Sequence, residues 1–520
     1  MRIGRRDFLR ALGSVLAFVS GRGAASPSDT APKIHTETRN TGFGPVGWRR
    51  PGGARGQPRK IYPNAPQLAL PGTKAEGAAL SEVVRSYAPL RGFEPKSLSI
   101  HELSTLLHLT NGVTGRFGDD PKSLRLRASP SAGALYAGEV YIVVEQVDGV
   151  AAGLYYYDVA PHHLLRLRSG SLLAEVQRAM ERPAEIEGAA VVVLLSNVFG
   201  RYTRQYANRG YRYALIDSGH QSENLRLVAR AIGLGDASAS RFYDDRLNAL
   251  LEIDGAREAV CALHAVGPAG TKETDGSAET RRFAERQHSG RSVIGRTVIE
   301  RFHDATKLVL DDRKSPATAT DRVAPTRAVD GPTIPLPMSE SSATTVASAI
   351  LARRSAEVFE PTPLALQDVA EVMKIARGNP ALERAKGVSL FMIAHRVVDL
   401  APGVYRYANR SHRLIPIRRA ELADSLIDVC VGQSMAGAAA AGFVMAAELD
   451  AAPTVLGDRS YRDLLLESGA IAQRIYLAAE TRGLVARNLA AFVDDRFNEL
   501  LGLQPLGLLG LHLTMLGHGR

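Results

Sequence analysis

Two short stretches hold side chains whose types and spacing suit a bound ligand. Arg127-Ala-Ser-Pro-Ser-Ala-Gly-Ala-Leu-Tyr136 places Ser129, Pro130, Ser131, Ala132 and Gly133 in a loop just ahead of Gly138-Glu139 and the apolar run 140–144. Small side chains let a flat ligand approach the backbone closely, and the loop's N–H groups can donate to it. Far downstream, Arg353-Arg354-Ser355 joins two guanidiniums to a hydroxyl at the start of a domain. That set can hold phosphate through charge-assisted, bidentate bonds. Small-residue loops and arginine pairs are each common. Their distribution over an internal repeat sets these two apart.

Phe93-Glu-Pro95 and the stretch 98–112 line up with Phe359-Glu-Pro361 and 364–378 at an offset of 266. From Gly153-Leu-Tyr-Tyr-Tyr157 against Gly403-Val-Tyr-Arg-Tyr407 the offset is 250 and holds without a gap. It pairs Tyr211-Arg212 with Tyr461-Arg462, Ser218-Gly219 with Ser468-Gly469, Gly233-Leu234 with Gly483-Leu484, and Asp244-Asp-Arg246 with Asp494-Asp-Arg496. A period of this size is a duplicated domain. The residues lost between the two offsets fall where the small-residue loop lies, so the second copy keeps only the stub 379–386. Conversely, the compact Arg353-Arg354-Ser355 belongs to the second copy. The first copy has Arg85, Ser86 and Arg91 in a stretch that reads as three residues longer.

The elements that must position these residues follow from local pattern. Residues 97–109 read as a capped amphipathic helix, 153–157 and 162–167 as a hairpin, and 189–195 and 260–267 as buried strands. Helices are expected over 171–183, over 211–232 (ended by Gly233-Leu-Gly235) and over 244–251. In the last of these Asp244-Asp245 caps the N-terminus and Arg246 closes an internal ion pair. Cys261 and Cys430 fall at non-equivalent positions and read as buried thiols, with no metal pattern around them.

The chain of 520 residues has 45% apolar and 23% charged residues, ordinary for folded domains. Its net charge of +10 is concentrated in residues 1–60, which hold 12 Lys/Arg against 3 Asp/Glu. A nucleic-acid-binding domain would carry that excess on its folded part, so nucleic acid is set aside as a partner. Arg5-Arg6-Asp7-Phe8-Leu9, an apolar small-residue run and Gly21-Arg-Gly-Ala-Ala25 make a signal peptide over 1–25. Its Arg-Arg-x-Phe-Leu resembles a bacterial twin-arginine export signal, so a periplasmic or secreted protein without a stable membrane span is expected. A Pro/Gly/Arg-rich arm follows over 26–74, then a first domain over 75–267. A linker over 268–344 carries one helix near 293–311, and a second domain runs over 345–520.

Taken together, these motifs resemble the flavin-dependent nitroreductase superfamily, and within it the SagB-type dehydrogenases, which include thiazole/oxazole oxidases. The resemblance rests on the Arg-Arg-Ser start, the 129–136 loop with Glu139-Val-Tyr141, and Gly153-Leu-Tyr-Tyr-Tyr-Asp158. Tyr206-Ala-Asn-Arg209-Gly-Tyr-Arg212, Asp217-Ser-Gly-His220 with Asn224-Leu225, and Gly233-Leu-Gly235 add to it. It implies an α+β fold: two nitroreductase-like domains, each a mixed sheet flanked by helices, packed as an intramolecular pseudo-dimer. It also implies FMN between the halves and hydride transfer to or from a small-molecule or peptide substrate. Carried over by position, Arg353, Arg354 and Ser355 hold the phosphate, and Ser129, Pro130, Ser131, Ala132 and Gly133 line the ring. Gly233, Gly235, Gly483 and Leu484 lie nearby.

On this reading one FMN site is complete. The other, pairing Arg85, Ser86 and Arg91 with Asn379-Pro380, is degraded. Azoline-oxidising relatives carry a Lys-Tyr pair where this chain has Gln205-Tyr206, and glutamine cannot take a proton. Tyr206 is therefore the catalytic candidate, matched in the second copy by Leu456, while His220 reads as a core or ribityl-side histidine. Two alternatives stand beside the oxidoreductase: a flavin-binding pseudoenzyme, and a peptide-modifying dehydrogenase working with partner enzymes.

Overall fold

The segment Gly138–Val144 is buried at every position, and so is its repeat Val388–Ala394. Strands apolar on both faces need a cover on each side, and here residues from both halves join in one continuous core. The computed structural model describes residues 35–39, 60–73, 76–86, 90, 92–118, 123–239, 241–270, 283–285, 299, 303–304, 306–310, 332–338, 341–378, 387–449 and 459–520. The expected signal peptide, Arg91, the stub 379–386 and Leu456 lie outside these residues.

In the first half the strands are β1 (Gln67–Ala69), β2 (Val113–Phe117), β3 (Leu124–Arg127), β4 (Gly138–Val144), β5 (Gly153–Asp158), β6 (His163–Ser169), β7 (Val191–Val198), β8 (Leu234–Ala239) and β9 (Glu258–Pro268). Its helices are α1 (Leu80–Arg85), α2 (Ile100–Asn111), α3 (Leu173–Ala179), α4 (Phe199–Tyr206), α5 (Gly210–Ala231) and α6 (Asp244–Leu250). Between the halves run β10 (Phe283–Glu285) and β11 (Leu308–Leu310). The second half has β12 (Ile334–Pro335), β13 (Val388–Ala394), β14 (Gly403–Ala408), β15 (Arg413–Arg419), β16 (Ala441–Ala447), β17 (Val485–Asn488) and β18 (Leu509–Gly517). Its helices are α7 (Val346–Ala352), α8 (Leu366–Arg377), α9 (Ala423–Val429), α10 (Met435–Ala438), α11 (Ser460–Thr481) and α12 (Asp494–Leu500).

The two seven-stranded sheets have the same order, β1-β6-β5-β4-β7-β9-β8 and β12-β15-β14-β13-β16-β18-β17. Their ladders are antiparallel, and parallel pairing enters as single bridges such as Ser355↔Ala486. The capped helix expected over 97–109 is α2, and it starts in a capping box, with Ser99 and Glu102 each accepting from the other's N–H. The β2–β3 hairpin belongs to the stretch that the second copy lacks, and periodicity gave no sign of it.

The long helices α5 and α11 cross at their equivalent glycines, the centre of the pseudo-twofold. A Cβ on Gly219 would lie 2.1 Å from the Leu466 carbonyl oxygen, and one on Gly469 would lie 2.0 Å from that of Ile216. Backbone atoms cannot swing aside. Gly219→Ala is therefore expected to cost about 1–3 kcal/mol or more in denaturant unfolding, well above an ordinary helix glycine-to-alanine change. Reciprocal hydrogen bonds near the entry helices, Leu80 N to Thr344 O and Val346 N to Ala78 O, repeat the same symmetry.

The acidic start of α6 does something other than cap its own helix. The N-cap residue is Tyr243, and Asp244 reaches across to the other half, binding Arg459 at 2.6 Å and Arg462 at 2.8 Å. Reciprocally, Asp494 binds Arg209 at 2.5 Å and Arg212 at 2.6 Å. The expected internal ion pair is thus an exchanged pair between halves, because the arginines that open the crossing helices face the opposite domain.

Two further segments are exchanged. His35 and Thr38 lie against Tyr461, and Arg39 pairs with Asp495 at 3.1 Å. Two hundred and sixty-eight residues on, His303 packs on Phe199 and Tyr211, and Lys307 pairs with Asp245 at 3.0 Å. Each segment precedes one domain and clasps the other. The duplication therefore begins upstream of the domains, in His-x-x-Thr-Arg/Lys. The end of the helix expected over 293–311 is strand, since Leu308–Leu310 pairs with Phe283–Glu285.

The register also corrects the reading of the first copy as three residues longer at its start. The N-caps Ala79 and Thr345 and the bridging residues Phe93 and Phe359 share the single offset of 266. Counted along that offset, Arg353, Arg354 and Ser355 fall opposite Tyr87, Ala88 and Pro89, which lie outside the described residues, and not opposite Arg85 and Ser86.

Candidate functional site

Arg353 follows α7 and is 3% exposed. Its Nε donates to the Ala128 carbonyl and its Nη2 to that of Arg127, both at 3.1 Å. Arg354 Nη2 donates to Thr114 O on β2 at 2.9 Å. The arginine pair of the second copy thus meets the small-residue loop of the first. Ser355 Oγ lies 3.1 Å from the Tyr476 hydroxyl, and Ala356 N donates to Ala486 O at 2.9 Å. This brings β17, entered through the turn at Gly483 (φ +65°) and buried Leu484, alongside the motif. Arg353 Nη1 and Arg127 Nε and Nη1 are buried without hydrogen-bond partners among the described residues, and burial pulls both guanidinium pKa values down. Unpartnered buried donors on two cations fit an anionic group.

The loop is held in an unusual backbone. Gly133, Ala134 and Tyr136 all have left-handed φ (+60°, +52° and +45°), and so does Ala207 at the end of α4 (+47°). Such residues cluster where a structure over-determines them. Ser129 and Pro130 are buried, with Ser129 Oγ donating to Asn111 Oδ1 at 3.2 Å, so they anchor the loop. Residues 131–135 are the part that solvent reaches, Gly133 most of all. A Cβ on Gly133 would lie 2.3 Å from the Tyr206 hydroxyl and 3.4 Å from Gln205 Nε2, so the missing side chain lets Tyr206 lie against the backbone. Burial pushes the Tyr206 phenol above its ordinary pKa.

Beneath these, the helix crossing carries a neutral polar layer. His220 Nδ1 is 2.8 Å from Gln473 Oε1 and its Nε2 is 2.9 Å from Asn488 Nδ2. Gln473 in turn donates to Asn224 at 2.7 Å. His512, 6.4 Å from His220 between ring centres, is buried with neither nitrogen hydrogen-bonded among the described residues. Burial holds both imidazoles down to about 3, so they are neutral at ordinary pH.

The pseudo-symmetric locus is built differently. Two hundred and fifty residues separate Glu223 and Asn224 from Gln473 and Arg474, so the mate of the Asn224–Gln473 bond is the Glu223–Arg474 ion pair, at 3.0 Å. Arg474 also pairs with Glu467 at 3.2 Å and donates to Ala376 O at 2.7 Å. A charged side chain of the protein itself fills this position. Gly233 (φ +83°) turns the chain out of α5, and a Cβ on Gly235 would lie 2.4 Å from Leu90 Cδ1. Arg85 donates to Ser341 Oγ at 2.5 Å and Ser86 closes α1. Sequence reasoning missed Arg127, Tyr202, Asp217, Arg474 and His512 as contributors. The Asn224/Arg474 mismatch at a fixed offset was the one readable signal among them.

Two sheets, exchanged ion pairs and a site between halves define a fused pseudo-dimer of the nitroreductase fold. The model of the nitroreductase family matches residues 85–268 and 350–518. The chain belongs to that family, in two copies. It is similar to a nitroreductase-family protein of Methanocaldococcus jannaschii, with 32% identity over 178 residues, 34% of this chain and 86% of that protein. It is also similar to the trifolitoxin-processing protein TfxB of Rhizobium leguminosarum bv. trifolii, with 28% identity over 31% of this chain and 44% of that one. The crystal structure of a nitroreductase-family protein of Anabaena variabilis shares the fold at a TM-score of 0.75, with 23% identity, covering 94% of this chain and 99% of that one.

Proposed function

We propose that the chain is an exported FMN-dependent oxidoreductase with a single flavin site, formed by 353–355 of the second half and 131–134 of the first. The observation carrying this reading is the pair of Arg353 bonds into the base of the loop, with the remaining nitrogen buried and unpartnered. Arg353 and Arg354 would hold the phosphate, the backbone at Ala132 and Gly133 would lie against the ring, and the His220–Asn488 layer would stand behind it. Bound FMN supplies two-electron chemistry, exchanging hydride with a donor and an acceptor. The protein's part is orientation. Tyr206, kept protonated by its raised pKa, donates a proton and does not accept one, and Gln205 beside it holds no exchangeable base. The likeness to a toxin-processing protein makes modified peptides the first substrate class to test, beside small molecules.

Arg474 occupying the second locus supports one flavin per chain. Protein reconstituted with excess FMN and desalted should hold one FMN, bleach under a reductant and recolour with an acceptor. A ratio near two sinks the single-site reading. Protein that stays colourless overturns flavin binding altogether.

A further inference from the structure

Left-handed Gly133, Ala134 and Tyr136 cost about 1 kcal/mol or more each for the two that carry a side chain, so something must hold the loop in place. The brace comes from two helices of the first half. Asp217 Oδ2, on α5, accepts from the Ala132 N–H at 3.1 Å and also from the Tyr202 hydroxyl on α4. With its proton committed to Asp217, Tyr202 accepts from Ser131 Oγ at 3.1 Å, and that same Oγ accepts from Tyr136 N at 2.9 Å. One carboxylate and one phenol thus bond residues 131, 132 and, through Ser131, 136.

Most of the other buried carboxylates are ion-paired. Buried Asp236, Asp244, Asp494, Glu139, Glu223 and Glu258 each face an arginine or lysine. Asp217 has no ion pair among the described residues, and burial pushes its pKa up to about 7. The helix position does not forbid a cation, because its repeat mate Glu467 pairs with Arg474. A lone buried carboxylate is costly unless its lone pairs are used. Here the acceptor is used on the loop.

We propose that Asp217, acting with Tyr202, is the positioning residue for the ligand-facing loop 131–136, and that flavin affinity is set through this brace. The proposal rests on the reading of that loop as the flavin platform. Full-length Asp217→Ala, Asp217→Asn, Tyr202→Phe and the Asp217→Ala/Tyr202→Phe double variant are titrated with FMN, and amide exchange over 129–136 is followed without flavin. Losing the acceptor should weaken FMN binding about 30-fold, and asparagine, which keeps an acceptor, should return it to within about 3-fold of wild type. The double variant should bind no more weakly than Asp217→Ala alone, because both partners act through one brace.

Faster exchange at Ala132 in Asp217→Ala but not in Asp217→Asn is the matching flavin-free result. Folded alanine and asparagine variants that are equally weak would overturn the proposal, and so would wild-type affinity in Asp217→Ala. If wild-type protein binds no FMN, the flavin reading falls and the exchange experiment alone judges the brace. Unchanged loop exchange in Asp217→Ala then sinks it.

Discussion

Asp244→Ala should destabilise the protein by about 3–5 kcal/mol in equilibrium denaturation, because it strands two buried guanidiniums. Arg459 and Arg462 are each 1% exposed and both direct Nη1 at this carboxylate. If Asp244 served only its own helix terminus, the loss would stay below about 1 kcal/mol. Magnitude therefore separates the two roles. Asp494→Ala should match Asp244→Ala, since Arg209 and Arg212 are left in the same state. Asp245→Ala is the control. Its side chain is 35% exposed and pairs with Lys307, so the expected change is under about 1 kcal/mol. Loss of several kcal/mol is a large share of a typical domain's whole stability, so incubation near physiological temperature should already expose the difference.

The second large effect concerns Arg353. Arg353→Ala removes both bonds to the base of the loop and the buried positive charge, and should weaken FMN binding by about 100-fold or more in equilibrium dialysis. Arg353→Lys should recover little, because an ammonium cannot span two carbonyls and a third acceptor as a planar fork does. Arg85→Ala should leave affinity unchanged. A larger loss from Arg85→Ala than from Arg353→Ala would move the site to the other locus and refute the proposed assignment.

Local pattern carried a good part of this. The capped helix near 97–109, the strands at 189–195 and 260–267 and the duplication itself can be read from residue spacing, and so can the complementary loss of one motif from each copy. What stayed hidden had long-range causes. Asp244-Asp245 at a helix start looks like ordinary N-terminal acid, and nothing nearby in sequence reveals partners in the other half. Tyr87-Ala88-Pro89 could not be set against Arg353-Arg354-Ser355 until strand bridges fixed the register, because neighbouring Arg85-Ser86 offered a better match of letters. Asp217 stood in a quoted motif without a role, since its acceptor serves backbone 85 residues earlier. The meeting of Arg353 with the loop was inferred from a resemblance, and the geometry supplies its atoms.

The exchanged carboxylates also constrain how this chain comes off the ribosome. Asp244 precedes its two arginines by 215 and 218 residues. At roughly 5–20 residues per second, the first half waits roughly 10–40 s with an acid destined for a dry interface still lacking its counter-charges. During that interval its glycine-notched helix face has no mate either, so the nascent half must be shielded or remain loosely packed. The counter-charges arrive only with Arg459 and Arg462, on the long helix of the second half. Truncation before Arg459 should therefore yield a first half that is captured by chaperones, not a smaller working protein.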